Sequence, residues 1–274
     1  MIPCTRPLLA MEHTEFDAGA EQMAFGLART RAIPLAIVLP LVANVEYEAV
    51  APALVARDEE AVHEHSLAVR TAAQSAGASA TVRVRRHEEA WRAIVAEATA
   101  MHADLVIVRR RGRRSFLANL MIGEMVGKVA TEAPCSVLLV PRAARSWRQR
   151  VLAAIDTTPL ASGVARAAAD AARAAQLPLT LVSVAAHDTP AARAAADVAV
   201  RAAADVVRGE GLAVECRVAA GRPAETIAAL AAQLGADLLV VGRGGPRAHG
   251  RWHFGSNAQR IAGLAACAVL VVRP

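Results

Sequence analysis

Short apolar runs alternate with alanine-rich stretches along the whole chain. In the second half the runs Val151 to Ile155, Leu179 to Val184, Ala213 to Val218, Asp237 to Val241 and Ala268 to Val272 are rich in Val and Leu. Gly, Pro, Asp or Thr bounds most of them, as expected of buried strands. The stretches between read as helices. One follows Asp156-Thr157-Thr158-Pro159 and runs through Gln176, and one follows His187-Asp188-Thr189-Pro190 and runs to Arg208. Gly221-Arg222-Pro223-Ala224-Glu225 opens a third, to Leu234, and a fourth spans Ser256 to Leu264. The first half runs the same course, with strands Leu8 to Met11, Leu35 to Leu39, Thr81 to Arg85, Ala103 to Val108 and Ser136 to Val140. Its helices are expected over Phe16 to Arg31, Ala49 to Ala76 and Glu88 to Met101. Strands alternating with helices predict parallel sheets wrapped by crossover helices.

The likeness of the halves is written in the residues. Ala103-Asp104-Leu105-Val106-Ile107-Val108 matches Ala236-Asp237-Leu238-Leu239-Val240-Val241, and Ala133-Pro134-Cys135-Ser136-Val137-Leu138-Leu139-Val140 matches Ala265-Ala266-Cys267-Ala268-Val269-Leu270-Val271-Val272. The offset falls from 133 to 132 between these pairs, so the first copy has one extra residue in its loop. The expected organisation is a domain over 1–141, an arginine-rich linker over 142–149 and a second domain over 150–274. In such sheets ligands sit beyond the carboxyl ends of the strands where strand order reverses, so the strand ends after positions 155, 184 and 241 should meet at one crevice.

One of those ends carries distinctive chemistry. Val241 runs into Gly242-Arg243-Gly244-Gly245, and nine residues later Gly255-Ser256 opens a helix. Glycines let amide N–H groups approach an anion with no Cβ in the way, and a helix N-terminus adds free donors and partial positive charge. Ser256 adds a hydroxyl. With Gly 17 of 274 residues, a G-x2-G-x9-G-[ST] pattern is expected by chance about 0.005 times.

Composition narrows the class. Hydrophobic residues are 55% of the chain and aromatics 3%, so Ala, Val and Leu must build the core. No apolar run reaches the ~18 residues of a membrane span, and the N-terminus lacks a signal-peptide pattern, which together suggest a cytoplasmic protein. Cys4, Cys135, Cys216 and Cys267 form no C-x-x-C pair or zinc spacing. The net charge of +6 is carried almost wholly by arginine, Lys128 being the single lysine. These arginines are spread over many helix faces, which favours a small phosphate ligand over nucleic acid. No Walker lysine, G-x-S-x-G elbow or H-E-x-x-H is present.

The glycine spacing after a buried strand resembles the nucleotide-binding signature of the universal stress protein family. Val151 to Asp156 looks like that family's first strand with its terminal Asp, and Gly221-Arg222-Pro223-Ala224 like its Gly-x-Pro-Ala turn. The resemblance implies an α/β fold of the adenine nucleotide alpha hydrolase-like, Rossmann-like kind, as two tandem open five-stranded parallel sheets with helices on both faces. It also implies ATP, with or without Mg, as ligand of the second domain. Gly242, Gly245, Gly255 and Ser256 would contact phosphates and ribose, Asp156 adenine or ribose, and Val184 the adenine pocket. No catalytic residue is assigned. The expected role is stress-response regulation with at most slow hydrolysis. The rivals are an ATP-hydrolysing enzyme of the same superfamily and an interaction module that binds no nucleotide. Family strand order puts Ser136 to Val140 and Ala268 to Val272 at sheet edges, where the two copies would pair inside the chain, homodimerisation being left open.

The first copy departs from this pattern. Arg109 aligns with Gly242, and Gly123-Glu124 with Gly255-Ser256, beside the run Arg109-Arg110-Arg111-Gly112-Arg113-Arg114. Its arginines would face solvent, an acidic partner, or Glu12 and Glu15. Glu12-His13-Thr14-Glu15-Phe16-Asp17 has ligand types of a metal site but no ligand spacing, and reads as a solvated helix start. Asp156 suits a helix N-cap as well as a ligand contact, Thr157 and Thr158 suit caps, and His63 and His65 a solvated helix face.

Overall fold

A computed structural model of the chain describes residues 4–11, 17–42, 45–110, 123–244 and 254–273. These residues form two compact units, one holding the first five strands and one the last five. In the first, the strands are β1 (Pro7–Ala10), β2 (Leu35–Val42), β3 (Ala80–His87), β4 (Leu105–Arg110) and β5 (Ser136–Pro141), and the helices α1 (Ala18–Arg31), α2 (Val45–Val50), α3 (Pro52–Ser75), α4 (Ala90–Ala100) and α5 (Glu124–Glu132). The strands pair in parallel in the order β3-β2-β1-β4-β5.

The second unit repeats this arrangement with β6 (Val151–Ala154), β7 (Leu179–Ala185), β8 (Val214–Ala220), β9 (Leu238–Gly242) and β10 (Ala268–Val272). Its helices are α6 (Ala161–Ala175), α7 (Pro190–Gly209), α8 (Pro223–Gln233) and α9 (Ser256–Leu264). The order is β10-β9-β6-β7-β8, again all parallel. The order reverses between β1 and β4 in the first unit and between β6 and β9 in the second. The α/β class, the strand alternation and the parallel pairing are those expected from the sequence.

The central strands are apolar on both faces because both are covered, and β4 and β10 are buried throughout. Small side chains make the helix packing close: α6 buries Ala165, Ala168, Ala169 and Ala172 against its sheet. The repeated aspartates have the same work in both units. Asp104 accepts the backbone N–H groups of Thr5 and Arg6 and the Thr5 hydroxyl, while Asp237 accepts those of Arg148, Gln149 and Arg150. Each ties the chain entering the first strand of its unit to the start of the fourth.

Two local expectations are corrected. The helix expected over Ala49 to Ala76 is two helices, because Pro52 lacks a backbone N–H and opens α3 at its first turn after Ala51, at φ −137° and ψ 58°. Thr157 and Thr158 do not cap α6, whose N-cap position is Leu160. At α7, by contrast, Thr189 accepts the Ala192 N–H at 3.2 Å. Of the histidines, His63 is exposed and His65 half-buried on α3.

Candidate functional site

In the second unit the reversal brings three predicted positions to one sheet edge. Leu152 and Ala153 of β6 pair with Leu239 and Val240 of β9, and Ala154 pairs with Val182 of β7. Asp156, just past β6, Val184, near the end of β7, and Gly242, the last residue of β9, therefore lie at the carboxyl ends of three neighbouring strands. Val184 is half-buried and Asp156 exposed. Asp156 Oδ1 accepts the Thr158 N–H at 3.0 Å and the Thr158 hydroxyl at 2.6 Å. It closes a turn before α6 rather than capping the helix.

The two ends of the glycine loop are joined. Gly255 donates its N–H to the Arg243 carbonyl at 2.8 Å, and Arg243 donates its own to Val272 of β10 at 3.0 Å. This fixes the N-terminus of α9 beside the end of β9. The first helical bond at this end runs from the Gln259 N–H to the Gly255 carbonyl, so the N–H groups of Ser256, Asn257 and Ala258 have no acceptor within the helix. Ser256 is exposed at its first position. Gly245 lies outside the described residues.

The glycines differ in what their own surroundings demand. Gly244 sits at φ +111°, a backbone that requires glycine. The motif reading passed over it, although the Gly244-Gly245 pair is visible in the sequence. Gly255 has an ordinary φ of −58°, and a Cβ there would meet the Arg243 carbonyl only at 3.6 Å, an ordinary contact. Neither backbone nor packing within the described residues requires a glycine at 255. It leaves room beside a helix N-terminus, which is what a phosphate group needs. At Gly242 a Cβ would point towards Val164 of α6, 3.3 Å from its Cγ2.

The same corner in the first unit is built differently. Arg109, near the end of β4, turns its guanidinium onto Asp17 at the start of α1, with Nε 3.1 Å from Oδ1. The side chains keep 7% and 0% of their exposure. The partner is a carboxylate of its own copy, as one of the alternatives had it, but Asp17. Glu12 and Glu15 lie outside the described residues, as do Arg111 to Arg114. The expectation of a solvated helix start therefore fails at Asp17, which is buried because it has an arginine to meet. Its signal in the sequence is the paired break in the repeat: an arginine replaces the glycine, and an aspartate stands where the second copy has Leu160 and Ala161. Burial and the charge of Asp17 push the Glu21 carboxyl above its ordinary range.

A cavity of about 450 Å³ opens in this first corner, lined by Glu89, Trp91, Arg109, Gly123, Glu124 and Lys128 among others. Arg109, Gly123 and Glu124 are the counterparts of Gly242, Gly255 and Ser256, so three positions chosen from the second copy's sequence converge in the first. Lys128 Nζ sits 2.9 Å from Glu89 and 3.1 Å from Glu124, and 5.5 Å from the Trp91 ring centre. Bonds first from Arg92 and then from Lys128 hold the Glu89 carboxyl down at about 2, and the Glu89 and Glu124 carboxylates in turn raise the Lys128 ammonium. In the second copy, Arg222 and Arg260 replace Glu89 and Lys128, and Arg260 pairs with Glu225. The described residues include no His, Cys, Asp and Glu cluster able to hold a metal ion, and no helix among them is long and apolar enough to cross a membrane.

The sequence model of the universal stress protein family matches this chain twice, over residues 5–141 and 148–273. A comparison with curated proteins gives no match. Among solved structures, a universal stress protein from Archaeoglobus fulgidus DSM 4304 superposes with a TM-score of 0.77 at 16% identity, covering 99% of this chain and 97% of that one. A functionally unknown protein from Pseudomonas aeruginosa PAO1 gives 0.69 at 20% identity, covering 100% and 94%. At these identities the likeness is one of fold. The universal stress protein from Archaeoglobus fulgidus in complex with dAMP covers 46% of this chain and 98% of its own, at 22% identity and a TM-score of 0.40.

Proposed function

The chain belongs to the universal stress protein family, and from that premise we propose that its second half binds an adenine nucleotide, ATP in the first instance, while its first half does not. The observation that carries this reading is Gly255: a glycine with an ordinary backbone, where a Cβ would make only ordinary contacts at 3.6 and 3.7 Å, beside the N-terminus of α9. Residues 142–149 act as the linker between a nucleotide-binding domain and a degenerate one. Gly242, Gly245, Gly255 and Ser256 hold the phosphates, with Mg where the cell supplies it, and Asp156 and Val184 hold the nucleoside. The residues present fit such a ligand, because the corner offers amide donors, a hydroxyl and the cation Arg222. A cytoplasmic regulatory role in stress, rather than dedicated catalysis, is the role that family membership supports. The halves pair through β5 and β10, whose exposed edges would otherwise invite strand addition.

Titration calorimetry tests the reading. Wild type should bind close to one ATP per chain, Gly242→Arg should abolish binding, and Gly255→Val should weaken it at least tenfold, about 1.4 kcal/mol. Two equivalent sites per chain, or one that survives Gly242→Arg in a folded protein, would refute it.

A further inference from the structure

The ion pair in the first corner has a role that the loss of a glycine loop does not explain. Strand order in the first unit reverses between β1 and β4, and the pair spans that reversal. Arg109 belongs to β4, and Asp17 begins α1, the helix that follows β1. A nucleotide in the second half would be held from the corresponding places, the ends of β6 and β9. We propose that Arg109 and Asp17 are an internal substitute for the ligand: beside the open cavity of this corner they tie together the elements a nucleotide would bridge, so that the first half is ordered without one. This rests on the reading that the second half binds nucleotide, and extends it to why the first half keeps the family fold.

Three observations support the substitution. Both side chains are almost wholly removed from solvent, a costly state for charges unless they face each other. The change is reciprocal, with no charge at Gly242, Leu160 or Ala161 in the second copy. The directions also correspond, since a Cβ at Gly242 would point at Val164 on α6, and Arg109 reaches the start of α1. Glu21, one turn into α1, is the further titratable group facing Asp17. Burial first, and then the charge of Asp17, raise its carboxyl.

Hydrogen exchange of the full chain, read by segment with and without ATP, tests this. In wild type, ATP should slow exchange in β9, α6 and α9 at least tenfold and leave β4 and α1 unchanged. Arg109→Met removes the ion pair that ties β4 to α1, and should speed exchange in β4 and the first turn of α1 at least tenfold while sparing β9. Should that variant fail to fold, Asp17→Leu with Arg109→Met keeps the test open, because an apolar pair of similar volume restores slow, ATP-independent exchange. If Arg109→Met leaves β4 and α1 at wild-type rates, or if ATP slows the first half as much as the second, the substitution is wrong. If ATP slows neither half but Arg109→Met behaves as stated, the tie stands and nucleotide binding by the second half is what fails.

Discussion

The two sheets present opposite answers to one geometric problem. At the reversal of strand order a parallel sheet leaves a crevice beyond its strand ends, and something must fill it. In the first half a buried arginine and aspartate meet there 3.1 Å apart. In the second, Gly242 and Gly255 bring no side chain of their own, and the first N–H groups of α9 have no acceptor within the helix. A repeat thus diverges through coupled positions. Arg109 alone would place an unpaired cation in the core, and Asp17 alone an unpaired anion, each costing several kcal/mol. Together they are tolerated, and once both are present a ligand site does not return by a single substitution.

The largest effect expected tests whether the halves are one folding unit. Leu138 in β5 and Leu270 in β10 are 1% and 2% exposed, so Leu138→Lys buries an unpaired charge and should cost at least about 4 kcal/mol. If β5 and β10 pair, exchange should quicken in both strands, and Leu270→Lys should do the same from the other side. Slow, unchanged exchange at the strand in the other half would mean that the edges are covered some other way.

A smaller effect separates the halves at a single repeat position. Gly19 of α1 and Gly163 of α6 follow the first strands at the same offset. A Cβ at Gly19 would lie 2.2 Å from the Pro141 carbonyl and 2.7 Å from that of Arg142, because the chain leaving β5 crosses α1 there, whereas nothing stands within 4 Å of one at Gly163. Urea unfolding should show Gly19→Ala destabilised by about 3 kcal/mol through overpacking against rigid backbone. Gly163→Ala should gain about 0.5 kcal/mol from helix propensity. Equal effects would mean that the contact at α1 yields easily.

Much of this was legible in the sequence. The runs at Val151, Leu179 and Ala268 announced strands because both faces of these sheets are covered, so apolar residues run on without a polar face to blur them. Ser256 to Leu264 was bounded correctly because Gly255 precedes it and Leu264 ends its apolar pattern. The break at Pro52 was missed because alanine and glutamate on either side both suit a helix. Asp17 was misread for a deeper reason: a carboxylate at a helix start is ordinarily solvated, and only the fold brings Arg109, 92 residues away by number, over it. Asp156 suits a cap as well as a ligand contact for the same local reason, and its turn onto Thr158 depends on where α6 begins.

The smallest effect concerns pH, and sharpens the contrast in charge beside the two corners. Glu89 is held at about 2, against an ordinary 4.5, first by its bond from Arg92, then by that from Lys128. A depressed carboxyl stabilises the folded state above its unfolded value, and that contribution is lost as pH falls from about 4.5 towards 2. The group is exposed and its partners are open to water, so salt screens the effect and its share of stability is small. The second copy has Arg222, a cation in place of the carboxylate, at this position. A carboxyl-selective NMR titration should therefore place the Glu89 midpoint near 2, and Lys128→Met should move it upward by removing one of the two donors. A midpoint near 4.5 in the wild type would show that Arg92 and Lys128 do not hold this carboxylate in solution. The contact between α4 and α5 beside the first corner would then rest on packing alone.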